Sequence, residues 1–207
     1  MIPKYVSILL FDQVELLDFA GPLEVFYRAK KSLENYDKDV LLFEATTISV
    51  EKKEIRVFGG LKVIPAHVTT STTGIDFLII PGELGARAMT TNSPEVVFVR
   101  KAIRTMPYIA TVCTGIWVLA LTGEIAGKHV TTHHSRYDSF QKAFPDISLV
   151  KNQKEVEDEQ VISAGGVSSG IDLGLYIVGK FQGEEALKTT EDVLEYNLSK
   201  KIQSMPM

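Results

Sequence analysis

The sequence predicts a three-layer α/β/α domain on a mostly parallel sheet, and three observations lead there. Apolar, β-rich runs recur at 5–11, 75–80 and 108–112, without the alternation of a half-exposed strand. Segments with helical spacing or helix-start chemistry lie between them, the signature of a parallel sheet covered on both faces. Each run ends in polar or turn residues, and such sheets hold ligands at the carboxyl ends of their strands. The 207 residues are 45% hydrophobic and 23% charged, enough for a sizeable core, and no repeat or linker divides them. One domain over 1–207 is expected.

Each element has a local reason. The run 5–11 reads as a buried strand, and 18–31 as a helix with Leu23, Phe26 and Tyr27 on one face and Pro22 near its first turn. Residues 40–50 are β-rich, and 55–64 read as a hairpin around Gly59-Gly60. Pro81-Gly82 stops the strand 75–80. Ser93, Pro94 and Glu95 supply an N-cap, a first-turn proline and a first-turn acid for a helix to about 104. The strand 108–112 feeds a helix to about 121, followed by a strand at 128–131 and a helix at 136–143. The acidic 155–159 run reads as a solvated hairpin tip between Leu149 and Val161. Ser169 to Asp172 resembles a capping box for a helix through 178, and a last helix follows Gly183.

The formal net charge of -4 argues against a nucleic-acid partner, which usually demands a basic face. The start lacks a signal peptide's charged and apolar regions, and no apolar run nears the ~20 residues that span a bilayer. A lone cysteine excludes an internal disulfide and fits a reducing interior, so a cytoplasmic protein without membrane partners is expected.

That cysteine, Cys113, is the residue to explain. It stands where a β-branched run meets a small-residue turn and an apolar helix, a place where a nucleophile is exposed at a sheet edge. Helix N-terminal amides there would lower its pKa from the usual ~8.5. Asp18 is a candidate helix cap, and Thr114 a candidate for satisfying first-turn donors. His129, His133 and His134 are clustered, but they lack the defined further ligands of a metal site, so no metal is expected. Trp117, Leu119 and Leu121 read as core. Glycines at 165, 166, 170 and 174 read as close packing, because neither a dinucleotide fingerprint nor a Walker lysine accompanies them.

Four segments together resemble one superfamily, the ThiJ/PfpI proteins, whose class I glutamine amidotransferase-like domain is flavodoxin-like. They are Leu17-Asp18-Phe19-Ala20-Gly21-Pro22, Val112-Cys113-Thr114-Gly115, Val130-Thr131-Thr132-His133 and Ser163-Ala164-Gly165-Gly166 with the residues to Leu173. Within the superfamily they are most similar to the isonitrile hydratase-like branch, also found as the sensing domain of AraC-type regulators. The resemblance implies a cofactor-independent lyase adding water to an isonitrile, with Cys113 as nucleophile, Asp18 as acid/base and Thr114 as orienting hydroxyl. It places Gly82, Glu83, Gly115 and His133 in oxyanion and substrate-binding positions, and it implies a homodimer acting on a small molecule.

Three departures bear on this expectation. Superfamily hydrolases often follow their cysteine with histidine, where this chain has Thr114. The loop often written Pro-Gly-Gly is Pro81-Gly82-Glu83, and Glu83 cannot visit positive φ as cheaply as glycine. His134 stands where the branch typically has tryptophan. An amidase, peptidase or glyoxalase-like hydrolase is thus a weaker alternative. A redox sensor, or a ligand-binding domain related to the regulators, is the non-catalytic one.

Overall fold

The computed structural model of the chain describes residues 3–33 and 36–196. It begins with β1 (Lys4–Leu9), α1 (Leu16–Arg28), β2 (Lys30–Leu33), β3 (Tyr36–Leu41), β4 (Phe43–Ser49), β5 (Ile55–Arg56), β6 (Lys62–Val63) and β7 (His67–Val68). The middle holds β8 (Phe77–Ile80), α2 (Leu84–Ala88), α3 (Pro94–Ile103), β9 (Tyr108–Val112) and α4 (Ile116–Ala120). Then come β10 (His129–Val130), α5 (Tyr137–Ala143), β11 (Ser148–Leu149), β12 (Glu155–Asp158), β13 (Val161–Ala164), α6 (Ser169–Gln182) and α7 (Glu184–Leu194).

Seven strands form the central sheet in the order β12-β13-β9-β8-β1-β4-β7. Every pairing is parallel except β12 with β13. β8 and β13 are buried along their whole length, and β8 accordingly reads as an unbroken apolar run. α1, α6 and α7 pack together over one face, and α2, α3 and α4 over the other. The fold is therefore the three-layer, flavodoxin-like one.

Close packing explains the glycines. A Cβ on Gly174 would lie 2.9 Å from the Val25 side chain, so a small residue lets α6 settle onto α1. Phe77 and Tyr108 stack across neighbouring strands at 5.2 Å, with Phe181 of α6 edge-on to both, and close the end where β8 and β9 begin. Trp117 and Leu119 are buried, and Trp117 meets Phe140 edge-on at 4.7 Å, tying α4 to α5. The opposite end, where β1, β8 and β9 finish, is left to polar chemistry.

Several local expectations need correction. The helix expected over 18–31 begins two residues earlier and stops at Arg28, and Lys30 starts a strand. Its N-cap is Glu15, whose side chain makes no cap bond, and Asp18 is fully buried in the first turn. Most of the acidic run is the edge strand β12, and only Glu159 stands at the exposed turn into β13. Glu157 bonds Lys180 and Tyr176, and Asp158 bonds Lys128 and His129, so counter-charges let the acids stand in a strand. The capping box does not form: Ser168 is the N-cap without a side-chain bond, and Asp172 instead accepts from Tyr196 at 3.0 Å. α6 also continues past 178 to Gln182. The strand at 128–131 lies outside the main sheet, as β10 paired with β11. Elements not anticipated from the sequence include β2, most of β3, β7, β11 and the five-residue α2.

Candidate active site

Three strand-to-helix turns converge at the polar end of the sheet. After β9 the backbone passes from extended at Val112 (φ -115°) to φ +55° at Cys113, then enters a 3-10 turn over Cys113–Gly115. A side chain in the left-handed region is uncommon and costly, and it is sustained here by fixed partners. The Cys113 amide donates to Gly165 O at 2.7 Å, and the Thr132 hydroxyl donates to Cys113 O at 2.7 Å. The elbow is pressed against the end of β8, so that a Cβ on Gly115 would overlap the Ile80 carbonyl oxygen.

The loop Pro81-Gly82-Glu83 then reaches both neighbours of the thiol. Gly82 N donates to Asp18 Oδ2 at 2.9 Å. Glu83 N donates to Thr114 Oγ1 at 2.7 Å, and the same hydroxyl donates to Glu83 O at 3.2 Å. Both loop amides expected to stabilise an oxyanion are thus already engaged, one by the carboxyl and one by the threonine. The amides that face the sulfur are those of Thr114 and Val167. Asp18 Oδ1 is buried and accepts from no nitrogen or oxygen donor among the described residues, and the side chain that faces this carboxyl is the Cys113 thiol.

Burial decides the protonation states. Asp18 is pushed up to about 8, chiefly by desolvation, with Glu15 and Glu83 adding like charge. The thiol, 3% exposed, is pushed up to about 12 by burial and by the nearby Asp18 charge, against the help of the Thr114 and Val167 amides. This overturns the expectation of an exposed, low-pKa thiolate. A 3-10 turn and the short helix α4 present too few free amides to offset the loss of water. At neutral pH the pair rests as thiol and carboxylic acid. Iodoacetamide alkylation of Cys113 at pH 7 is expected to run at least ~10²-fold slower than for free cysteine. A rate equal to free cysteine would contradict the buried neutral thiol.

The structure brings Cys113, Asp18, Thr114, Gly82, Glu83 and Gly115 together, and leaves His133 at the rim. The ring of His133 packs on Gly166, and its Nδ1 accepts from Ser135 N at 3.2 Å and meets Ser135 Oγ at 2.9 Å. Burial and the charges of His134 and Arg136 lower its pKa, so the imidazole is neutral. His129 pairs with Asp158, and among the described residues no three His, Cys, Asp or Glu side chains converge as metal ligands. Val167, Thr132 and Arg87 were not singled out from the sequence. Val167 carries no side-chain signal because its amide does the work. Arg87 was legible as the i+4 partner of Glu83, which it meets at 3.2 Å.

The chain as a whole is similar to known proteins. The family model described as DJ-1/PfpI matches residues 4–180. The chain belongs to the DJ-1/PfpI family. Among family members, the isonitrile hydratase of Pseudomonas putida is 27% identical over 192 residues, 92% of this chain and 78% of that protein. The HTH-type transcriptional regulator GbdR of Pseudomonas aeruginosa is 24% identical over 194 residues, 94% of this chain. This DJ-1/PfpI chain spans about half, 51%, of that regulator's length. A solved ThiJ/PfpI protein from Pseudomonas syringae superposes with a TM-score of 0.81 at 20% identity, over 97% of this chain and 78% of the other. Drosophila melanogaster DJ-1beta superposes with a TM-score of 0.79 at 20% identity, over 95% and 100%. The family thus includes enzymes and regulators. No helix among the described residues is long and apolar enough to cross a membrane.

Proposed function

We propose that the chain is a thiol-dependent enzyme for a small neutral molecule, adding water to an isonitrile to give an N-substituted formamide. The observation that carries this reading is a buried carboxyl facing a buried thiol, with the carboxyl's other oxygen held by the Gly82 amide and burial favouring the neutral form of both groups. An isonitrile carbon must receive a proton as sulfur attacks it. Asp18 gives its proton to that carbon while taking the proton of the Cys113 thiol, so R-NC and HS-Cys become the thioimidate R-N=CH-S-Cys. No isolated buried thiolate forms along this route. Water then adds to the thioimidate carbon, Asp18 relaying its proton to nitrogen, and the C–S bond breaks with the proton returned to sulfur. The products are R-NH-CHO and the free thiol. Thr114, locked to the Glu83 backbone, fixes the loop that holds Asp18 rather than activating water.

The test is formamide production from cyclohexyl isocyanide. Cys113→Ala is expected to abolish turnover, and Asp18→Asn to reduce it by at least ~10²-fold. Full turnover by Cys113→Ser, or no formamide from folded, reduced wild type, sinks the reading. A ligand-binding role like that of a regulator's sensing domain is the second reading. It is favoured by the GbdR match and by the engagement of both loop amides, which removes the donors an acyl-transfer hydrolase needs.

A further inference from the structure

Glu83 occupies φ 91°, ψ -158°, a region that is essentially glycine's. Its backbone work, donating to and accepting from the Thr114 hydroxyl, would be done without strain by a glycine. What a glycine would not bring is the carboxylate. Oε1 of Glu83 accepts from Arg87 Nη2 at 3.2 Å, and the two side chains are only 23% and 22% exposed. Arg87 Nε is buried without a hydrogen-bond partner among the described residues, so Glu83 is the anion that holds this guanidinium in place.

We propose that Glu83 is a positioning residue of the Cys113 site, kept in a glycine conformation so that Arg87 can fix its carboxylate beside the thiol and Asp18. The other charged or titratable groups facing this corner are Glu15 at the N-cap of α1, Asp18 in its first turn, Cys113 at the elbow and His133, itself flanked by His134 and Arg136. The Glu83 charge acts on the thiol, on Asp18 and on His133 alike. A fixed negative charge there opposes loss of either proton, so both are retained until a reactant takes them. It also disfavours an anionic reactant, which restricts the site to molecules uncharged at their reacting end. The inference rests on Cys113 being the functional group, not on isonitrile chemistry.

The test is the pH profile of iodoacetamide alkylation at Cys113, the chain's single thiol, for wild type, Glu83→Gln, Glu83→Gly and Arg87→Gln. The reagent is neutral, so it is not steered by the altered charge. Removing the carboxylate is expected to lower the midpoint by about half a unit to one unit and raise the rate at pH 8 by about 3- to 10-fold, in both Glu83 variants. Arg87→Gln leaves the carboxylate uncompensated and is expected to move the midpoint up and the rate down. Local opening would speed alkylation in every variant, so the opposite signs separate charge from loosened structure. A Glu83→Gln midpoint matching wild type, or an Arg87→Gln shift of the same sign as Glu83→Gln, overturns the proposal. These readouts need no substrate. A failure of isonitrile turnover alone would therefore leave this inference standing.

Discussion

Asp18→Asn is expected to be more stable than wild type at pH 8 and above while losing activity. The carboxyl titrates near 4 in the unfolded chain and at about 8 when folded. Between those values the folded state binds more protons than the unfolded one. Wild-type stability at Asp18 is therefore fully present below about pH 4 and is lost as pH rises through about 8. The ceiling on that loss is about 5 kcal/mol. Accommodating the asparagine amide, whose N–H groups need partners in a buried site, reduces the net gain to about 2 kcal/mol. Urea unfolding of both proteins from pH 5 to pH 9 measures it, and the difference cancels other titrating groups. The gap should open with pH, reaching about 5 °C in Tm at pH 9. A gap that stays constant across this range would mean an Asp18 with an ordinary pKa.

Gly115→Ala is expected to produce a large loss of stability at the elbow. Gly115 sits at φ -56°, ψ -26°, where alanine is comfortable, so conformation is not the obstacle. The obstacle is space: the new Cβ would overlap the Ile80 carbonyl oxygen and lie 2.8 Å from both the Ile80 carbonyl carbon and the Pro81 oxygen. These are backbone atoms at the end of a buried strand, so the elbow must move as a unit. We expect a cost of about 3 kcal/mol or more, and a thiol displaced from Asp18. Gly123→Ala is the contrasting control. It has positive φ (77°) but nothing near its Cβ, so about 1 kcal/mol is expected. Equal melting temperatures for Gly115→Ala and wild type would show that the elbow yields.

The parallel sheet was legible because β8, and β1 and β9 beyond their first residues, are buried on both faces and cannot carry polar alternation. The elbow was legible because Cys113 sits where such a run breaks into small residues. The strand-end rule also located Asp18 and Gly82 correctly relative to Cys113, since all three follow neighbouring strands. The protonation states were not legible. A helix N-terminus favours a thiolate and burial opposes it, and the balance depends on how little water reaches Cys113. Nor could the engagement of the loop amides be read, because the bonds from Gly82 to Asp18 and from Glu83 to Thr114 join residues 64 and 31 positions apart. The acidic run of β12 misled for a related reason. Its acids look solvated until Lys128 and Lys180 arrive from elsewhere in the chain.

That strand also constrains how copies of this protein can meet. β12 is one border of the sheet, and its acids point to both sides: Glu155 and Glu157 toward α6, Asp158 toward β10. A bare border strand is a template on which another chain can add hydrogen bonds. An incoming strand here would have to set its own side chains beside these acids and their lysines on both faces of the sheet. Growth of the sheet from one molecule into the next is thereby discouraged at this border. The chain keeps a long parallel sheet without exposing a route to fibrous aggregation there.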